Sequence, residues 1–285
     1  MISDEAPSGA RTAHETARGG VADPAEEGSS HRSGFVWSLV DQGFSSATTF
    51  LFTAVAARAL GPAGLGTVAL GYAAFLIVLG LERSLIVNPL LARVSASSTT
   101  PEQALRAALS VTLATGCVAA FVAFSVGLLT TGPLARGLLV FAPWMVPALL
   151  QALLRAWLYR EKRGRTAAVS NAVWLVVLIG AVAAGLRESD AAVVAAWGLG
   201  GCAALVVVVA GTRNVGLVRP RAAAAWFVGE AAAVGGWLAG SSIVYSAAAY
   251  ARVAGISSVL GTARWEAFEQ SRPPSHPFRW SGRRS

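Results

Sequence analysis

The 285-residue sequence is short of charge: 13% of its residues are Asp, Glu, Lys or Arg, against 54% that are hydrophobic. A soluble domain carries nearer a quarter charged residues, and a chain this apolar has too little polar surface to solvate itself. Lysine is almost missing, Lys162 being the only one. The three histidines, His14, His31 and His276, lie in polar tails, so no cluster has metal-ligand spacing. Both cysteines, Cys117 and Cys202, sit in apolar runs, where they behave as small hydrophobes and signal no disulfide. No nucleophile–base arrangement, phosphate loop or acidic metal-binding loop is found, so neither an enzyme nor a cofactor is expected. The net charge of +8 raises nucleic acid as a partner. The arginines, however, are scattered between apolar blocks and form no basic stripe with interleaved aromatics, so none is expected.

What the chain does have is long apolar runs. Residues 1–34 are rich in Gly, Ala, Ser and Glu and read as a disordered cytoplasmic tail. From Phe35 the character changes. A helix needs about 20 mainly apolar residues to cross a bilayer core, and seven stretches qualify: roughly 35–57, 66–90, 107–130, 134–157, 167–186, 191–211 and 235–259. In lipid every backbone amide must be bonded within its own segment, so the expected fold is all-α, a polytopic membrane bundle of about seven transmembrane helices. The ten-residue alternation of a membrane barrel is absent. The expected units are a six-helix half (35–211), a cytoplasmic link (212–234), a seventh helix (235–263) and an aberrant polar tail (264–285).

Arginine placement sets the expected orientation. Arg160, Lys162, Arg163 and Arg165 fall in one link, Arg213, Arg219 and Arg221 in another, Arg93 and Arg106 border a third, and Arg11, Arg18 and Arg32 lie in the N-terminal tail. The links on the other side hold Arg58, Arg136 and Arg187. This asymmetry puts the N-terminus and the basic links in the cytoplasm of a plasma (inner) membrane protein.

The stretch FLFTAVAARALGPAGLGTVAL (50–70) has a helix ending in Ala-Arg, then Leu-Gly-Pro-x-x-Leu-Gly, then a second apolar helix. It resembles the opening of O-antigen-type polysaccharide flippases, members of the multidrug/oligosaccharidyl-lipid/polysaccharide exporter superfamily. WLAGSSIVYSAAAY (237–250) resembles the start of their seventh helix. The resemblance covers residues 35–263. It implies two six-helix halves related as parallel repeats. A shift of 200 residues pairs Trp37 with Trp237, Ser46 with Ser246, Phe50 with Tyr250, Leu60 with Leu260, Gly61 with Gly261 and Ala63 with Ala263, as such a repeat requires. After Ala263 the echo stops. Residues 264–285 carry Arg264, Arg272, Arg279, Arg283 and Arg284 on what would be the outer side, so a truncated form of such a protein is expected.

The substrate implied by the resemblance is a lipid-linked oligosaccharide, with the bilayer and a homodimer or partner half as further partners. Ionisable residues inside spans are costly and so become candidates for the substrate or ion path. They are Asp41 and Gln42 in the first span, Glu82, Arg83 and Asn88 in the second, and Arg252 in the seventh. Two readings stand for Asp41: an interfacial residue, or a cavity carboxylate that pairs with an arginine or couples to a cation. Two also stand for Glu82 and Arg83: a helix end at the interface, or Glu82 pointing into the bundle while Arg83 snorkels to the cytoplasm. Adjacent residues on a helix point about 100° apart, so these two should not face each other. Arg155 reads as part of the cytoplasmic charge set, and Asn171 as a bond to a neighbouring helix. Trp37, Trp144, Trp157 and Trp226 read as interfacial anchors. GLGGCAAL (198–205) lacks a preceding strand and reads as close helix packing. Rival functions are export of small cationic drugs, as in the sister branch of the superfamily, and a non-transporting membrane remnant.

Overall fold

The structure is a computed structural model that describes residues 24–93, 100–212, 215–232, 235–237 and 240. Among these there is no strand, and nearly all of them are helical. In order come α1 (Pro24–Glu82), a π-helical turn (Arg83–Val87), α2 (Asn88–Arg93), α3 (Pro101–Leu129), α4 (Pro133–Arg160), α5 (Gly164–Ala183), α6 (Asp190–Gly211) and α7 (Pro220–Trp226), with a second π-helical turn at Phe227–Ala231.

Five helices among the described residues are long and apolar enough to cross a bilayer: Gly34–Ala92, Pro101–Leu129, Pro133–Arg160, Gly164–Ala183 and Asp190–Gly211. The first of them holds two expected spans, because α1 is not straight. Gly61 leaves the helical region at φ 67, ψ −173, a conformation open to glycine, and Pro62 follows it. The chain folds back there. The rings of Phe52 and Tyr72, which a straight helix would hold about 30 Å apart, have centroids 5.8 Å apart. The first six apolar runs thus have helices at the expected places, α3 starting a little early at Pro101. The seventh run, on which a count of seven depends, lies outside the described residues apart from 235–237 and 240.

One boundary differs from expectation. Helix α1 begins at Pro24, inside the stretch whose composition suggests a disordered tail. Proline at a first helical position is pre-organised for the helix.

Helix α4 is central, packed against α1, α3 and α6, while α5 pairs with α6. Two cores result. One gathers Phe52, Phe75, Phe141, Met145 and Trp197 towards the Gly61 corner. The other gathers Ile86, Leu90, Leu105, Leu153, Trp157 and Trp226 towards the basic links. The outer faces are apolar too: Phe35, Phe50, Phe121, Leu129, Val176 and Val206 are each more than half exposed. Water would oppose so large an apolar exterior; acyl chains would cover it.

The glycines of 198–205 behave as the sequence suggested. A Cβ on Gly198 would meet Trp144 at 2.1 Å, and one on Gly200 would meet Trp174 at 2.4 Å, so α6 lies flush on indoles from α4 and α5. The anchor reading of the tryptophans is corrected for Trp157 and Trp226, which are buried in the core. Trp157 also donates its indole N–H to Glu161 at 2.8 Å. At the start of α6, Ser189 accepts from the amide of Ala192 at 3.1 Å as an N-cap. Ser189→Ala should cost about 1 kcal/mol, read as a fall of a few degrees in the melting midpoint in detergent.

Candidate functional site

On α4, Gln151, Arg155 and Tyr159 recur every four residues and so share one helix face. That face looks towards Asp41 on the first arm of α1 and Ser170 and Asn171 on α5. Asp41 is buried, and its two oxygens have different partners. Oδ1 accepts from the Asn171 amide at 2.6 Å. Oδ2 lies 3.6 Å from Arg155 Nη1. The chain of polar contacts continues inwards: Gln151 Nε2 donates to Ser170 Oγ at 3.3 Å and to Asn171 Oδ1 at 3.5 Å. Ser170 Oγ in turn donates to the Ala167 carbonyl at 2.8 Å. The Tyr159 hydroxyl stands near both Asp41 and Arg155 without forming a hydrogen bond of good geometry.

Beside this network is a cavity of about 100 Å³. At some 30 Å³ per water molecule, it has room for a phosphate-sized group but not for a sugar chain. Its mouth carries Arg83 and Arg155, its middle Gln151, Asn171, Thr48 and Thr49, and its floor Tyr72, Phe75, Trp174 and Trp197. The floor is tightly joined. Trp197 packs on Phe75 with centroids 5.3 Å apart and on Trp174 at 5.2 Å. The Trp174 indole N–H is held by the Trp197 carbonyl at 2.9 Å. The cavity therefore has its cations at the end nearest the basic link 160–165, where Arg83 is exposed, and aromatic rings towards the Gly61 corner, where Phe75 and Trp197 are buried.

The sequence candidates separate into groups. The structure brings Asp41 and Arg83 to this site. Gln42, one position on from Asp41 and so turned about 100° from it, is exposed, and Asn88 is also exposed; neither lines the cavity. Arg252 lies outside the described residues. Glu82 points into the bundle but away from Arg83's face: it is 1% exposed and its Oε1 accepts from Thr112 of α3 at 3.5 Å. Burial this deep does not fit an interfacial helix end. Its other oxygen, Oε2, has no hydrogen-bond partner among the described residues.

Arg155 corrects the sequence reading. Instead of joining the cytoplasmic charge set it closes the network, since one helical turn past Gln151 still faces inwards. Asn171 does bond neighbouring helices, α1 through Asp41 and α4 through Gln151. Residues not singled out from sequence are Gln151, Tyr159, Thr48, Trp174 and Trp197. The signal for the first two was present: polar residues at four-residue spacing in an otherwise apolar α4. No protein-family model, curated protein or solved structure matches the chain.

Proposed function

We propose that the chain is a multi-pass plasma-membrane transporter that flips or exports a lipid-linked oligosaccharide or polysaccharide precursor, its N-terminus cytoplasmic and its spans seven. The observation that supports this best is the sign of the cavity. Its two charged lining residues, Arg83 and Arg155, are cations, and the nearby carboxylate of Asp41 is already engaged by Arg155 and Asn171. A phosphate of the pyrophosphate suits such a mouth, while the sugars, too large for the cavity as it stands, would need it to widen. In this reading the cavity faces the cytoplasm and the aromatic floor is the closed gate. Rocking against a second half, from a homodimer or a partner chain, would open the other side.

The rival reading, export of small cations, favours cavity-facing carboxylates with no cationic partner, and among the described residues none lines this cavity. A non-transporting remnant is favoured if deletion leaves surface polysaccharide unchanged. The direct test is binding by the purified chain in detergent. A polyprenyl pyrophosphate should bind, and Arg83→Ala should weaken it about tenfold or more, the usual worth of a charge-assisted hydrogen bond. A labelled quaternary ammonium should not compete. Competition by the cation, or indifference to Arg83→Ala, would overturn the proposal.

A further inference from the structure

We propose that the groove between α1 and the end of α5 binds an anionic glycerophospholipid, with Arg58 and Arg187 holding its phosphate. This rests on the membrane-spanning reading but not on the identity of any transported substrate. The groove lies at the end of the bundle opposite the cavity mouth and measures about 530 Å³. Its walls include Phe50, Leu51, Val55 and Val182, and its rim the two arginines. Leu51, Val55 and Arg58 fall three and four residues apart, so an apolar stripe on α1 runs straight up to a guanidinium.

Arg187 reaches the same rim because of how α5 ends. Gly185 takes φ 100, its amide donates to the Val182 carbonyl at 3.1 Å, and the Leu186 amide donates to the Ala181 carbonyl at 3.0 Å. This pair of bonds is a Schellman C-cap, which reverses the chain over Val182 and carries Arg187 towards α1.

Neither guanidinium has an ion pair or hydrogen bond among the described residues. Arg136, at the same end, differs: it is paired with Asp190 at 3.1 Å. Two cations on the rim of one apolar groove, with no anionic partner among the described residues, suit an anion between them. Free phosphate would meet the arginines but leave the walls bare. A zwitterionic lipid would fill the walls but bring its own cation to the rim. An anionic phospholipid satisfies both parts at once.

The test titrates the detergent-purified full chain with phosphatidylglycerol, phosphatidylcholine or inorganic phosphate, reading the melting midpoint and bound lipid by native mass spectrometry. Phosphatidylglycerol should raise the midpoint and stay bound, and the other two should not. At about fivefold per arginine, Arg58→Gln with Arg187→Gln should weaken retention roughly thirtyfold. Arg187→Gln alone sits on an exposed turn, should keep the fold, and should lose about fivefold. Arg165→Gln, at the other end, should change nothing. An equal response to phosphatidylcholine, to phosphate alone, or in the arginine variants overturns the proposal. Fractionation separates the two failures: a chain that sediments with membranes but shows no anionic preference sinks only this site, whereas one soluble without detergent sinks the membrane reading with it.

Discussion

Replacing Asp41 by alanine should destabilise the folded chain by about 3 kcal/mol in a detergent unfolding titration. Removing one partner of a buried ion pair usually costs about 3–5 kcal/mol, because the other charge stays behind without compensation. The lower end applies, since the Arg155 side chain is 18% exposed and faces the cavity, where water can reach it. A second loss adds to the first: the Asn171 amide, held at 2.6 Å, would lose its acceptor. Pairing Asp41→Asn with Arg155→Gln should recover most of the stability, as no buried charge then remains and an amide can still accept from Asn171. Asp190→Ala is the control. Its partner Arg136 has a side chain 70% exposed, so that loss should stay below about 1 kcal/mol. If Asp41→Ala costs no more than Asp190→Ala, the network is not structural.

Replacing Asp41 by asparagine alone separates the functional readings by sign. Asp41→Asn leaves the Arg155 charge uncancelled beside the cavity, so a polyprenyl pyrophosphate should bind more tightly and a cation more weakly. A cation exporter would lose ligand affinity, having lost its nearest carboxylate. Tight ground-state binding is not transport, and a stronger hold on substrate should slow its release. Raised affinity together with reduced flux is therefore the expected pair of measurements.

Much of the helical plan is legible in the sequence because lipid imposes one rule on every span. Each run must be apolar for about 20 residues and must satisfy its own backbone, so position and helix follow from hydropathy alone. The corner at Gly61 was readable as a link from Leu-Gly-Pro, though not as a sharp fold in one long helix. The site is legible only in part. Asp41 stands out as an acid in an apolar run, but which face it presents depends on how α1 packs on α4 and α5, and adjacent Gln42 carries an equal sequence signal while lying exposed. Arg155 was misread for the related reason that distance from a helix end gives depth but not azimuth. Glu82 and Arg83 divide as neighbours on a helix must, one to α3 and one to the cavity. The aromatic floor was hidden altogether, since Tyr72, Phe75, Trp174 and Trp197 come from three helices and each alone is an ordinary apolar residue.

The second large effect is expected where two backbones touch. A Cβ on Gly137 of α4 would lie 2.5 Å from the Thr67 carbonyl oxygen and 2.8 Å from the Gly71 nitrogen, and one on Gly71 would lie 2.5 Å from the Gly137 carbonyl oxygen. These neighbours are main-chain atoms, so no rotamer change relieves the clash; the helices must move apart. Gly137→Ala should therefore cost about 2–3 kcal/mol, even though alanine is the better helix former by about 1 kcal/mol. Gly180→Ala on α5, with nothing within 4 Å of its added Cβ, isolates that propensity gain and should be neutral or slightly stabilising. The consequence reaches the cavity. Phe141 lies one turn beyond Gly137 and packs behind the floor on Trp197, Tyr72 follows Gly71, and the Phe141 and Tyr72 rings stand 6.1 Å apart. Forcing the crossing open must separate these rings, so Gly137→Ala should make a small aqueous quencher reach Trp197 more readily. A variant that melts as wild type and leaves Trp197 equally shielded would show that the crossing has slack, and the aromatic floor would no longer serve as a closed gate.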